Sequence, residues 1–397
     1  MMVGQEEKTL CCGCGTCELV CPVNCIAMVT DPAGFVIPSI DKSACIECGK
    51  CRVVCPVLNH NNEMDFVHTS FAAYARESSV RFEGSSGGIF GLLAREILGR
   101  GGVVFGAAFD SQLQLRCVCA RNEQELAPLF KSKYLQCRLD DAFDRIRVEL
   151  EAGRYVLYTG TPCYVFALKQ YLGRDYEKLY TVDFVCHGVP SQSLFDRCRQ
   201  YVEQKEKISV LGYEFRAKKP NGATPHYYRL RYIKNGKEYI TRPRLYTKSP
   251  FYLGFQKYIT LRDSCYQCRF ASSNRCSEMT IGDFHNVDRY IQGVNRFDGI
   301  SLVTLNAEKG AELWTCIRER TKSWELDFRK LIEEKELMCG GTPKPAGREA
   351  FVADLCTKPF RQVADKHMNC GQEWKKSIYY AMPRGIRGLM KKAMGIK

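Results

Sequence analysis

The chain has 397 residues, 45% of them hydrophobic, which is enough for a sizeable core and too long for one ordinary domain. Its net charge is +14, but residues 374–397 carry seven Lys/Arg and no acid, so half of the excess sits at one end and the body lacks the charge of a nucleic-acid-binding surface. No run of about 18 uncharged apolar residues occurs, which argues against a transmembrane helix.

Twenty-three residues are cysteine. The opening stretch "MMVGQEEKTL" is polar and lacks the apolar centre of a secretory signal, so a cytoplasmic chain is expected. Thiols there are held reduced, and abundant cysteine then points to metal or redox chemistry rather than disulfides.

The first element is "CCGCGTCELVCP" (11–22), repeated as "CIECGKCRVVCP" (45–56). Cys11, Cys14, Cys17 and Cys21 precede Pro22; Cys45, Cys48, Cys51 and Cys55 precede Pro56. This doubled C-x2-C-x2-C-x3-C-P run is the pattern of bacterial two-cluster ferredoxins, in which three thiolates of one loop hold a cubane and the fourth cysteine reaches the other cluster. One 4Fe-4S cluster is thus expected on Cys11, Cys14, Cys17 and Cys55, and a second on Cys45, Cys48, Cys51 and Cys21. Gly13, Gly15 and Gly49 let the backbone wrap and turn its amides toward the sulfurs. Zinc is the rival, but a third cysteine at the same short spacing followed by Cys-Pro suits a tetrahedral zinc site poorly. Cys12 and Cys25 fall outside the register and read as small buried fillers. Residues 1–60 form a domain with little core of its own, which the clusters are expected to hold together. "NHNNEMDFVH" (59–68) reads as a polar linker.

The body opens with "SSGGIFGLLAREILGRGGVVFGAAFD" (85–110), a helix, a glycine turn and a buried strand. Ile89, Leu92, Leu93 and Ile97 recur at helical spacing, and Ser85 and Ser86 are suited to cap the helix. Gly87 and Gly88 leave its first turn open to an anion such as a flavin pyrophosphate; an ordinary capped core helix is the alternative. No GxGxxG follows a strand, so a Rossmann dinucleotide site is not supported. "RYVLYTG" (154–160) and "LYTVDFV" (179–185) read as parallel strands joined by the helical "YVFALKQYLG", which would bring Cys163 and Cys186 to equivalent carboxyl ends. Cys265 and Cys268 form a CxxC in "LRDSCYQCRFASSNRCSEMTIGDF" (261–284). With Cys163 and Cys186 they make four thiolates, enough for a third 4Fe-4S cluster. Cys276 is a rival ligand, and a small zinc site or a free CxxC is the alternative. Cys117, Cys119, Cys137, Cys198, Cys316, Cys339, Cys356 and Cys370 follow no spacing and read as packing.

Residues 85–305 resemble the beta subunit of coenzyme F-420 hydrogenase/dehydrogenase and its bacterial relatives, through "SSGGIFGLLA", "FKSKYLQC", "GTPC", "CHGVPS", "LRDSCYQC" and "TIGDF". The resemblance implies a mixed α/β fold (α+β), with a small bacterial-type ferredoxin domain ahead of a larger flavin/iron–sulfur domain over 70–330 and a helical extension with a basic tail over 331–397. It implies FAD, a body cluster on Cys163, Cys186, Cys265 and Cys268, and electron exchange with a deazaflavin or another hydride carrier. By motif, Ser85, Ser86, Gly87 and Gly88 would sit by the flavin, with Lys131, Ser132, Lys133 and Tyr134 in the same cavity. Gly160, Thr161 and Pro162 would shape the loop before Cys163, and His187 and Gly188 the loop after Cys186. The chain departs from the family pattern at His285, where Trp is usual, and at Tyr164, where Gln is usual. Some relatives are associated with surface-polysaccharide pathways.

A protein holding both flavin and four-iron clusters converts two-electron hydride chemistry into single-electron steps. The expected activity is that of an iron–sulfur flavoprotein oxidoreductase joining a hydride carrier or substrate, FAD and the clusters to a redox partner protein. A ferredoxin-type electron-transfer subunit without a substrate of its own is the alternative. Lys131, Lys133 and Arg262 are candidates for anionic groups, and His187 for a proton relay. The tail "EWKKSIYYAMPRGIRGLMKKAMGIK" (373–397) suits a basic amphipathic contact with an anionic membrane face, against a solvated terminus or an RNA contact as rivals.

Overall fold

The computed structural model of the chain describes residues 9–60, 68–218, 226–294, 299–337, 339–373 and 378–380. Most of the expected linker and nearly all of the basic tail therefore lie outside the described residues. Two strands, β1 (Ile26–Thr30) and β2 (Val36–Ile40), pair antiparallel between the two cysteine runs. Two four-residue helices, Thr16–Leu19 and Lys50–Val53, flank them. Each opens on a glycine in the left-handed region, Gly15 at φ 77° and Gly49 at φ 74°, so the repeated motif folds into a repeated loop-and-helix unit. Cys17, Cys25 and Ile26 are the buried hydrophobic residues of the cluster at its centre. A core made mostly of thiols cannot offset chain entropy by apolar burial alone.

The body is built on an eight-stranded sheet. Its strands are β3 (Thr69–Ala75), β4 (Val103–Phe109), β5 (Leu115–Ala120), β6 (Val156–Thr159) and β7 (Leu179–Phe184). A second, antiparallel sheet interrupts the chain: β8 (Ser209–Phe215), β9 (Tyr227–Lys234), β10 (Lys237–Ile240) and β11 (Arg244–Leu245). The main sheet is completed by β12 (Met279–Asp283), β13 (Ser301–Leu305) and β14 (Thr321–Leu326), in the order β14-β3-β13-β12-β7-β6-β4-β5. β4, β6, β7 and β12 run parallel side by side, as expected for the β6–β7 pair.

Successive residues of these strands feed opposite faces, which gives a three-layer body. On one face the Ile89–Gly99 helix packs Ile89, Leu92, Leu93 and Ile97 against Phe71, Val104 and Leu157. On the other, the Ala142–Glu151 and Pro162–Leu172 helices bury Phe143, Ile146, Val165 and Leu168 against Phe105, Val156 and Tyr158. The helices Arg348–Thr357 and Phe360–His367 of the expected C-terminal extension add Phe351, Leu355 and Val363 to the core under the second sheet. Not all of the unpatterned cysteines are packing residues: Cys316, Cys339 and Cys356 are exposed, because they fall on solvent-facing positions.

Candidate functional site

The two ferredoxin loops bring thiols of both runs near one another. Burial, then the charges of Cys14, Cys11 and Cys55, push the Cys17 thiol up. Burial, with Cys14 and Cys11 adding to it, pushes Cys55 up to about 11. The chain has thus brought Cys55 of the second run beside three cysteines of the first. The reciprocal set surrounds a recess lined by Cys21, Cys45, Cys48 and Cys51. Backbone amides point at sulfur in both loops: Gly13 N–H donates to Cys11 Sγ at 3.3 Å and Glu47 N–H to Cys45 Sγ at 3.4 Å. Among the described residues no three His, Cys, Asp or Glu side chains converge on a point suited to a single metal ion.

Two cysteines expected as fillers have closer ties to these sites. Cys25 Sγ lies 3.4 Å from Cys21 Sγ and lines the same recess. Cys12 lies within hydrogen-bonding reach of both Cys14 and Cys163, which together raise its pKa, while the bond from Cys12 lowers Cys14 to about 7. Both thiols sit one or four positions from a motif cysteine, so the tight loops that present the motif present them too.

Beyond the carboxyl ends of the four parallel strands lies a cavity of about 500 Å³. Ala107, Thr159, Phe184 and Asp283 bring those ends to its wall. Cys163, Cys186, Cys265 and Cys268 line it together. Burial raises Cys186 first, followed by the charges of Cys265, Cys163 and Cys268; burial likewise raises Cys265 to about 12 and Cys268 to about 11. Cys276 is not among the lining residues, although it packs on the same core cluster as Cys163 and Cys268. Gly188, at φ 113°, lets the loop after β7 pass the CxxC: a Cβ there would stand 2.7 Å from that of Cys265. Its amide donates to Cys186 Sγ at 3.4 Å.

The same cavity is lined by Ser85, Ser86, Gly88, Lys131, Ser132, Lys133, Tyr134, Gly160, Thr161, Pro162 and His187. Several of these act differently from expectation. The helix cap is Gly88, at φ 83°, and not a serine. Ser85 Oγ instead accepts from Ser132 N–H at 2.7 Å, and Ser86 Oγ donates to Ile300 O at 2.7 Å. Gly87 does not line the cavity; its amide is held by Ser301 Oγ at 3.0 Å and its carbonyl by Ala75 N–H, which tie it to the sheet. Lys131 is paired with Glu214. Lys133 donates to Pro128 O and Phe130 O, and burial lowers its ammonium to about 7. Burial lowers His187, with nearby His285 adding to the shift.

A polar group that no sequence motif marks as a whole closes one end. Arg216, buried, grips Asp283 and reaches Tyr134 Oη at 3.2 Å and Ser85 O at 3.2 Å. Burial works against the Asp283 charge, but the Arg216 guanidinium holds it below the usual carboxylate range. Burial, then Arg216, lowers His226 well below its ordinary value. The signal for Asp283 is "TIGDF"; Arg216 comes from the second sheet, which no local pattern ties to the site.

The ferredoxin segment is docked on this cavity. Arg262, a candidate for anionic groups, lines the cavity, and its donors are engaged by the protein itself. Its Nε donates to Cys11 O at 2.6 Å, its Nη2 to Val36 O at 2.8 Å and its Nη1 to Gln136 Oε1 at 3.1 Å. Gln136 Nε2 reaches Gly13 O at 3.2 Å, and Tyr164 Oη lies 3.1 Å from the same oxygen. Tyr164, a departure from the family pattern, thus has a place here as a docking residue.

The doubled thiolate loops on an α/β body define an iron–sulfur electron-transfer protein. Residues 10–59 match the 4Fe-4S dicluster domain, and residues 153–329 match the family described as the C terminus of the coenzyme F420 hydrogenase/dehydrogenase beta subunit. The chain thus carries a region of this beta-subunit family over residues 153–329 and a 4Fe-4S ferredoxin region at its N-terminal side. Among solved structures, a chain from the F420-reducing [NiFe] hydrogenase complex of Methanosarcina barkeri is similar at 16% identity, over 80% of this chain and 93% of that one, with a TM-score of 0.43. No curated protein matches. Among the described residues no helix is long and apolar enough to cross a membrane.

Proposed function

We propose that the chain is an iron–sulfur flavoprotein oxidoreductase with three 4Fe-4S clusters and one FAD, and that it carries electrons between a hydride carrier in the cavity and a redox partner protein. Cys11, Cys14, Cys17 and Cys55 hold the first cluster; Cys21, Cys45, Cys48 and Cys51 the second; Cys163, Cys186, Cys265 and Cys268 the third. FAD lies against Ser85, Ser86, Gly88, Lys133, Tyr134 and the loops at Gly160–Pro162 and Gly188. The carrying observation is that one cavity is lined by both the four body thiols and these flavin candidates. A bound flavin supplies the exchange of a hydride for single electrons. The chain's own residues bind the anionic parts through Lys133 and the open turn at Gly88, and His187, kept neutral by burial, offers an imidazole next to Cys186 that can take up a proton. The hydride carrier is of the deazaflavin class named in the family's description, or another of like chemistry. The partner protein meets the second ferredoxin site, where Cys48 is exposed and Ile46 and Val53 stand 61% and 68% exposed.

Protein purified without oxygen is expected to hold about twelve irons and one flavin per chain. About eight irons and no flavin would instead favour the ferredoxin-type subunit without a substrate of its own.

The pKa of Lys133 gives this reading a pH signature. An ammonium is charged below its pKa, so with a value near 7 the cavity is most cationic on the acid side and loses that charge as pH rises. With FAD as the probe, the dissociation constant should rise about tenfold from about pH 6 to about pH 8, the scale of one lost charged hydrogen bond. Lys133→Met should bind FAD weakly at both pH values and flatten the profile, as read by fluorescence titration.

A further inference from the structure

Arg262 is 4% exposed, and its hydrogen-bond partners are two backbone carbonyls and one side-chain amide, none of them charged. Its neighbour Asp263 is turned to Arg348 instead. A buried guanidinium without a carboxylate is costly unless another negative group stands close. Around Arg262 the candidates are thiolates. Its Nε donates to the Cys11 carbonyl at 2.6 Å in the first ferredoxin loop, and Arg262 lines the cavity together with Cys163 and Cys265 of the body site. Cys265 follows it by three residues in the chain, and its backbone N–H donates to Arg262 O at 3.0 Å. Arg262 is therefore bonded to one thiol loop and built into the other.

We propose that Arg262 is the shared countercharge of the first ferredoxin cluster and the body cluster, raising both reduction potentials and making this pair the junction through which electrons cross between body and ferredoxin segment. The proposal rests on the three-cluster reading above. A four-thiolate cluster is net anionic and becomes more so on reduction, so a fixed buried cation favours the reduced form. The second ferredoxin cluster, whose Cys48 is exposed, lacks such a cation among its lining residues except for Lys50. The step itself is balanced without a proton: one electron leaves the body cluster and one arrives at the first ferredoxin cluster, or the reverse. Gln136 and Tyr164 are positioning residues: both bond the Gly13 carbonyl, and Gln136 also accepts from Arg262, which fixes the loop whose Cys11 carbonyl Arg262 binds. Gly13, at φ 69°, leaves room for Gln136 and Arg262, since a Cβ there would collide with Gln136 Nε2 and stand 2.8 Å from Arg262 Nη1.

The test is redox-poised electron paramagnetic resonance on the anaerobically purified full chain. Arg262→Gln is expected to lower the midpoint potentials of two clusters and leave the third unmoved, with iron content unchanged. Arg262→Lys, which keeps the charge, is expected to restore most of the shift, which a merely structural role would not do. Three unmoved potentials in an iron-replete Arg262→Gln protein would overturn the proposal. Should that variant lose iron, Tyr164→Phe is read in its place: a smaller fall confined to the first ferredoxin cluster is expected, and no fall overturns the proposal. A wild-type protein with about eight irons would end the three-cluster reading and with it the sharing and the junction, while a fall of the first ferredoxin potential in Arg262→Gln would still establish Arg262 as the countercharge of that cluster.

Discussion

Cys186→Ala is expected to cost the protein about four of about twelve irons and to stop electrons passing from a cavity-bound reductant to the ferredoxin clusters. The effect is large because neither neighbouring thiol stands in for Cys186: Cys276 does not line the cavity, and Cys12, which does, is engaged with Cys14 and Cys163. Flavin should still bind and still be reduced in this variant, since Ser85, Lys133 and Tyr134 stand on other elements of the cavity. Rapid-mixing absorbance separates the two outcomes. Flavin bleaching with no bleaching of the clusters fits the assignment; cluster reduction at the wild-type rate does not.

The second large effect concerns stability. Chelating the iron from the ferredoxin loops should unfold residues 9–60 while the eight-stranded sheet of the body persists. The segment buries little besides thiols and Ile26 in its own cluster. Structural metal sites contribute on the order of 10 kcal/mol to such folds. Hydrogen bonds from Arg262, Gln136 and Tyr164 fasten one loop to the body but do not supply a core. Hydrogen exchange of the β1–β2 amides should accelerate by a factor of about a thousand on iron removal, roughly 4 kcal/mol of lost protection. Amides of β6 and β7, buried on both faces, should change little. Retained protection in β1 and β2 would mean that docking alone holds the segment.

Much of this is legible in the sequence because it is local. The cysteine spacing carries the pairing of Cys55 with the first loop, since each short helix moves its fourth thiol a fixed distance. Strand-helix-strand texture carries the parallel β6–β7 pair and hence the meeting of Cys163 with Cys186. What is not legible is what depends on distant contacts. Ser85 and Ser86 look like caps by composition, but Ser132 and Ile300 claim their hydroxyls from elsewhere in the fold. Gly87 looks like part of an anion loop and is instead held by Ser301. Arg262 reads as a ligand for phosphate because a sequence does not show that the Cys11 carbonyl will arrive beside it. Cys12 and Cys25 read as fillers because a register argument has no place for a thiol between ligands. Arg216 cannot be found at all without the second sheet.

The most direct test of the central claim, that three four-iron clusters are joined to a hydride-accepting cavity in one chain, is quantitative paramagnetic resonance of the anaerobically purified protein reduced by dithionite. The account predicts a signal integrating to about three spins per chain, broadened by magnetic interaction between neighbouring clusters. A signal of about two spins with unbroadened ferredoxin lines, or none, would contradict it.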